Sequence, residues 1–403
     1  MGNKTSKFSA NASYLGYMYQ VRYALYNSLV KIKDRLYDEF SISIETLDDV
    51  VFHQEFKPME ILQTKHHLRE ETRLTDRSKE LWKSIRIWGE GIKNNTIPIN
   101  SNFFLITTAE VPNNTIIKYL KSDDDLRDIK EVLKAFNEIS SEKTNETNLP
   151  GYKAFRSLSE SEKEKLLSNI FVIDSAPSIL DLDKLLIQEI IPAANKKDWD
   201  SFLKRLEGWW IRRVCEHVLP EKKINISSSE ILGQMSSLRD QFKEDSLPID
   251  DDEIEERLSW LVDDSSHDDR IFVKQLKMIN VSNKRVFRAI KNYYRAYEQR
   301  SIWLEDGFLF PGELEKYEEK LMEEWEYIFE QQKDEMGEIA SEREKKKAAR
   351  AIYSWVETKA SCYIRPECTE PYVIRGTYQK LADDLHVGWH PEFKERLMYL
   401  LEK

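Results

Sequence analysis

The chain of 403 residues is short of several things, and each shortage excludes a class of protein. Glycine and proline number only 12 each, which rules out collagenous and Pro-rich disordered chains. The three cysteines, Cys215, Cys362 and Cys368, are odd in number and scattered. They lack the paired spacing of a zinc site or a disulfide framework, so they read as reduced structural thiols. No apolar run approaches the roughly 20 residues of a bilayer crossing, and the opening MGNKTSKFSANAS has no apolar signal core. A soluble cytoplasmic protein with no membrane partner is expected. There is no phosphate loop ending in GKS or GKT, no GxSxG elbow and no HExxH pair. The chain is therefore not expected to hydrolyse ATP, to use a side-chain nucleophile or to hold a zincin metal.

An excess of basic charge is missing as well. The net charge is −11, which opposes polyphosphate binding, because that binding is driven by Lys and Arg displacing counterions. The sum conceals an asymmetry. Residues 1–100 carry 15 Lys and Arg against 13 Asp and Glu, whereas the remainder carries 46 against 59. Any contact with nucleic acid is thus expected from the first quarter.

What is present, 40% apolar and 33% charged residues, suits a helix-leaning globular protein of two or three domains. Tyr14, Tyr17, Met18, Val21, Leu25, Leu29, Ile32 and Leu36 recur at helical spacing, predicting an amphipathic helix over 11–37. SISIE (41–45), VVFH (50–53) and ILQTKHH (61–67) read as strands, the last two joined through FKPME. Thr75, Asp76 and Ser78 offer caps for a helix through Leu81, Trp82, Ile85 and Trp88 that is expected to stop near Gly89 and Gly91. NFFLITTA (102–109) reads as a buried strand and NIFVID (169–174) as another, with helical segments over 114–138 and a loop over 139–151. Beyond about 180 the pattern is helical, clearest over 197–218, 227–243, 267–279, 282–303 and 312–347. The last reads as one long helix packed in a bundle rather than as a coiled coil.

The chemistry is concentrated in the strands. Gln63 and Lys65 project to one face of their strand, Asp49 begins the preceding strand, Asp48 stands beside it and Glu45 lies just upstream. Carboxylates, an amide oxygen and a lysine converging at a sheet edge suit phosphodiester hydrolysis. Mg²⁺ takes oxygen ligands and keeps several waters, it polarises a phosphoryl oxygen and activates water, and a lysine can stabilise the developing charge.

Asp49 followed fourteen positions on by Gln63-Thr64-Lys65 resembles the D…(D/E/Q)xK signature of the PD-(D/E)xK nucleases, with glutamine in place of the middle acid. Gly16-Tyr17-Met18-Tyr19-Gln20 resembles the helical motif preceding the catalytic hairpin in the restriction-like branch, where an acid often stands at the place of Gln20. The string IETLDDVVFH…EILQTKHH is similar to the double-stranded-DNA nuclease domain of CBASS effectors and to the nuclease subunit of Lamassu, an ABC three-component antiphage system. LEGWWIRRVCEHVL (206–219) and LRDQFKEDSLPID (238–250) resemble the helical C-terminal domain of such three-component proteins, and 280–403 matches no motif.

The resemblance implies a restriction-endonuclease-like α/β domain over 1–178 and an all-α regulatory or assembly region over 179–403. It implies a nuclease dependent on Mg²⁺ or Mn²⁺, cutting double-stranded DNA at Asp49, Gln63, Lys65 and Glu45, with Asp49, Glu45 and Gln63 as metal ligands and Gln20, Asp48 and His66 in support. The implied partners are an SMC-like ABC ATPase and a small middle subunit, with a homo-oligomer in the active state. Gating by a cyclic oligonucleotide and a decayed scaffold are the alternatives. The bland readings stand beside these. Lys65 alone is an ordinary edge-strand lysine, His66 and His67 point to opposite faces and cannot easily share an ion, and His53 reads as structural. Trp82, Trp88, Trp209 and Trp210 fall at core spacing, and EREKKKAAR (342–350) as a solvated helix face.

Overall fold

The computed structural model describes residues 6–34, 39–55, 57–67, 72–219, 224–259, 269–337 and 339–400. The ends of two expected helices, at 35–37 and 267–268, lie outside these residues. Contacts divide the chain into two units, Met1–Leu238 and Arg239–Lys403.

The first unit begins with α1 (Ser6–Asp34), which buries Tyr19, Val21, Tyr23, Leu25 and Leu29. Next come β1 (Ser41–Ile44), β2 (Val50–Gln54), β3 (Lys57–Lys65), α2 (Lys79–Lys93) and β4 (Asn102–Thr107). They are followed by α3 (Ile129–Ser140), α4 (Leu149–Arg156), α5 (Glu160–Ser168) and β5 (Ile170–Ile173). The six-stranded sheet runs β5-β4-β3-β2-β1, with β6 (Ile226–Ser227) as its far edge. β1, β2 and β3 form an antiparallel meander, while β4 and β5 are parallel to β3. Parallel neighbours need crossover connections, and α2 supplies one while α3, α4 and α5 lie in the other.

One face of the sheet carries the main core, where Val51, Ile61, Phe103 and Leu105 meet Trp82 and Trp88 of α2 and Phe136 of α3. All five strands and the helix order expected over 41–174 are present. Helix α2, however, runs through both glycines to Lys93 instead of stopping at them. A Cβ on Gly91 would fall 2.5 Å from Ile97, so this glycine is small for packing rather than for termination, while a Cβ on Gly89 would meet α4 only at an ordinary 3.7 Å.

The boundary expected at 178 falls inside this unit. α6 (Asp181–Ile190) and α7 (Trp199–Val218) pack on α1, where Arg22 pairs with Asp183 of α6 and Glu207 of α7 and Trp210 Nε1 donates to the Val21 carbonyl at 2.8 Å. β6 then adds to β1 through Ser41↔Ser227 and Ile42↔Ile226, ahead of α8 (Ser228–Gln241). A two-residue strand has no readable periodicity, which is why 227–243 reads as helix alone. His217 of α7 closes the rest of that edge. Its Nε2 accepts from the Ile44 N–H at 3.1 Å, so Nδ1 carries the proton and donates to the Ile224 carbonyl at 2.9 Å.

The second unit is all helical: α9 (Asp251–Arg257), α10 (Ile271–Met278), α11 (Asn283–Glu305), α12 (Glu313–Met336), α13 (Glu342–Thr358), α14 (Pro371–Asp383) and α15 (Phe393–Leu397). The helix expected over 312–347 is two helices. Gly337, at φ +77°, ends α12, and a capping box between Ser341 and Glu344 starts α13. Tyr317, Leu321, Trp325 and Phe329, four apart, bury one stripe of α12 in the same core as Trp389 and Phe393, the bundle packing expected of it. No helix among the described residues is long and apolar enough to cross a membrane. Cys368 is buried as expected of a structural thiol, whereas Cys215 is exposed.

Helices α11 and α14 approach so closely that a Cβ on Gly376 would lie 2.1 Å from the Asn292 carbonyl oxygen. A backbone atom cannot rotate away, so Gly376→Ala should cost about 1–3 kcal/mol through overpacking. Urea denaturation followed by circular dichroism would measure it, and an unchanged midpoint would refute the close crossing.

Candidate active site at the end of β2 and β3

The pairing of β2 with β3 sets the site. Val50 lies opposite Leu62 and Val51 opposite Ile61, so carrying the register one step further places Asp49 across from Gln63, with Lys65 two residues along on the same face. Val51 and Ile61 on that face belong to the core. The three polar residues therefore continue a hydrophobic row at the point where the sheet opens.

Asp49 is held by the strand it faces. Its Oδ2 accepts from the Thr64 N–H at 2.8 Å and from the Thr64 hydroxyl at 3.2 Å, and the Lys65 ammonium stands 3.6 Å from the same oxygen. Lys65 Nζ also donates to the Thr64 carbonyl at 2.9 Å. With Oδ2 so engaged, Oδ1 is the oxygen left for another ligand. The Asp49 and Lys65 side chains are only 19% and 17% exposed, enough to admit a ligand yet little enough to weaken the screening of their charges. Gln63 is 1% exposed, and its Oε1 has no hydrogen-bond partner among the described residues. A buried amide oxygen without a donor is costly unless something else satisfies it.

The other acids take separate directions. Glu45 sits at φ +54°, a left-handed conformation that non-glycine residues seldom adopt, and its N–H closes the turn onto the Asp49 carbonyl at 3.1 Å. Its carboxylate is turned toward α1, where Gln20 Nε2 donates to Glu45 Oε1 at 3.0 Å and to the Asp49 carbonyl at 2.6 Å. Gln20 thus braces the turn that presents Asp49. Asp48 points to α2 and accepts from Trp88 Nε1 at 2.7 Å. Burial, and then the Asp49 charge, push its pKa up to about 7, against the Trp88 N–H and Lys65, which favour the charged form. His66 and His67 diverge as strand alternation requires. His66 packs on Tyr19 of α1 with ring centroids 4.9 Å apart, while His67 Nε2 stands 3.1 Å from Glu80 of α2. His53 pairs with Ser43 at 2.8 Å in a structural contact.

The structure thus brings Asp49, Gln63 and Lys65 together and sets Glu45 and Asp48 on opposite sides of them. Thr64, the anchor of Asp49, and Trp88, the anchor of Asp48, are site residues that sequence reasoning passed over. Thr64 sat unnoticed between the two residues of the motif, and Trp88 was counted only as core, which it also is.

The donors fit a hard divalent cation, since Asp49 Oδ1 and the unpartnered Gln63 Oε1 are both oxygens. Glu45, Asp48 and Asp49 do not gather into a single three-acid cluster. Among the described residues the one group of three His, Cys, Asp or Glu ligand atoms within 4.8 Å of one another is Glu342, His390 and Glu392 in the second unit. Its chemistry is that of an ion-pair network. Arg396 takes both carboxylates and Lys345 takes Glu392. His390 Nδ1 accepts from the Glu392 N–H, so in the neutral ring Nε2 bears the proton and offers a metal no lone pair.

Residues 272–397 match the family model of C-terminal domain 7 of the ABC-three component (ABC-3C) systems. The match covers 126 of the 403 residues and makes this segment similar to the C-terminal domain of a class of multi-component systems. It lies wholly in the helical unit, downstream of the segments 206–219 and 238–250 that resemble such proteins, and covers most of the stretch that matches no motif. No curated protein matches the chain.

The raised pKa of Asp48 has a consequence for stability. The folded state binds its proton between about pH 3.8 and about pH 7, where the unfolded chain has lost it. This contribution is full below the unfolded pKa and is lost as pH rises through the folded one. Asp48→Asn should therefore flatten the pH dependence, with its Tm gaining on that of the unsubstituted chain as pH climbs from 4 to 8. Thermal melts in EDTA across that range check it; parallel curves would refute a buried, protonatable Asp48.

Proposed function

We propose that the first unit is a metal-dependent nuclease acting on double-stranded DNA and that it is the effector of the ABC-three-component system. The observation that carries this reading is the meeting of Asp49, Lys65 and the unpartnered Gln63 oxygen at one open sheet end, on a sheet with the helix-meander-helix-strand order of the nucleases its motifs resemble. Asp49 Oδ1 and Gln63 Oε1 would hold Mg²⁺ or Mn²⁺. When bound, such an ion polarises the scissile phosphate and lowers the pKa of an attacking water. Thr64 fixes the Asp49 carboxylate through two hydrogen bonds, so the ligand oxygen is presented without reorganisation. Lys65 would place its positive charge beside the negative charge that develops on the phosphoryl oxygens. Gln20 keeps the Glu45–Asp49 turn in its strained form.

Charge supports the division of labour. The first unit holds 34 Lys and Arg against 35 Asp and Glu, and the second 27 against 37. The second unit is poorly suited to a DNA backbone and well suited to protein partners, for which an SMC-like ABC ATPase and a small middle subunit are the proposed candidates. An unrestrained DNase is lethal to its host, so these partners are proposed to hold the nuclease off until DNA is sensed, with clustering of nuclease units in the active state.

Incubating the chain with and without its partner subunits on linear and circular duplex DNA tests this reading. Mg²⁺-dependent cutting should vanish with EDTA. Lys65→Ala and Asp49→Asn should each lower the rate by about a hundredfold or more, the scale of removing one transition-state donor. Antiphage protection that survives both substitutions would instead identify a scaffold whose nuclease has decayed.

A further inference from the structure

The Lys65 side chain folds back on its own strand. Instead of extending into solvent, the ammonium donates to the carbonyl of the preceding residue, Thr64, at 2.9 Å and stands 3.6 Å from Asp49 Oδ2, with 17% of the side chain exposed. A strongly hydrated point charge gives up water to sit there, and what it receives is one carbonyl and one carboxylate, the oxygen set that suits a hard divalent ion. Two cations sharing Asp49 within a few ångströms repel strongly where screening is weak.

Resting on the nuclease reading of this site, we propose that Lys65 and a divalent cation held by Asp49 Oδ1 and Gln63 Oε1 compete for the one Asp49 carboxylate, and that cation entry expels the Lys65 ammonium from its place beside Oδ2 and the Thr64 carbonyl. Lys65 thereby has two positions. In the one seen, it neutralises Asp49 and opposes the entry of a second cation at that carboxylate. In the other, freed from the strand, its four-carbon stem reaches outward to a phosphate. The site resists low concentrations of metal by its own lysine, and the same charge that guards Asp49 is delivered to the substrate once the guard is displaced. The contact is local to β3, so this control operates in the full chain without any partner.

Two measurements on the full-length protein test the exchange without reading activity. The first is the affinity for Mn²⁺, followed by the paramagnetic resonance of the free ion, in the unsubstituted chain, Lys65→Met and Asp49→Asn, each checked for an unchanged thermal melt. Lys65→Met, which keeps the stem and removes the charge, should bind about tenfold more tightly, a coupling in the ordinary range for two ligands of one site. The second is pulsed reductive methylation of the unsubstituted chain, with mass spectrometry at Lys65. Saturating Mg²⁺ should accelerate modification of Lys65 severalfold relative to the exposed lysines of the same sample. Equal Mn²⁺ affinity in Lys65→Met, or a Lys65 methylation rate indifferent to Mg²⁺, overturns the competition while leaving the nuclease reading intact. Failure of all three proteins to bind Mn²⁺ overturns both.

Discussion

The register of β2 against β3 is the constraint on which the candidate site depends. A shift of one residue would turn Asp49 and Lys65 to opposite faces, because side-chain direction alternates along a strand. The register is fixed by the buried row Val51, Ile61, Phe103 and Leu105, which cannot be moved to the other face without exposing the core beneath Trp82 and Trp88. Hydrophobic burial thus does the positioning. The polar residues inherit their geometry from the row that precedes them, and Thr64 needs only to lock the last rotamer of Asp49.

The same economy appears in the braces around the site. Gln20 on α1 and Trp88 on α2 each extend a polar tip from a helix that is otherwise apolar toward the sheet, and each takes one acid of the 45–49 turn. The turn is strained at Glu45, and strain of this kind persists only where neighbours over-determine the conformation. Two helices packed on opposite faces of one sheet achieve that here. Each brace matters because it fixes the direction in which Asp49 leaves its turn.

Much of this was legible in the sequence, for reasons that differ from residue to residue. The strands of the meander announced themselves through β-branched alternation, and Asp49, Gln63 and Lys65 through their spacing within it. The extent of the first unit did not, because β6 is two residues long and α6 and α7 look like any amphipathic helices until Arg22 is seen to bind both. The break between α12 and α13 was readable in principle: Gly337 followed by Ser341 and Glu344 is a stop and a start signal, hidden inside a stretch of strong helix formers. The separation of Glu45 from Asp48 was beyond any spacing rule, since it depends on which helix offers each carboxylate a donor.

The glutamine at position 63 is best understood through Asp48. Asp48 is already a buried carboxylate next to Asp49, and its pKa is driven up to about 7 because two negative charges there are hard to sustain. A third acid at position 63, 1% exposed, would have to share the same corner, and like charges at close range leave one of them protonated. An amide keeps the oxygen and discards the charge. With Gln63, no third carboxylate joins Asp48 and Asp49 beside the ammonium of Lys65, and the oxygen of Gln63 remains a neutral acceptor whose availability does not depend on pH. Gln63 thus keeps an oxygen at this position without adding to the negative charge beside Asp48 and Asp49.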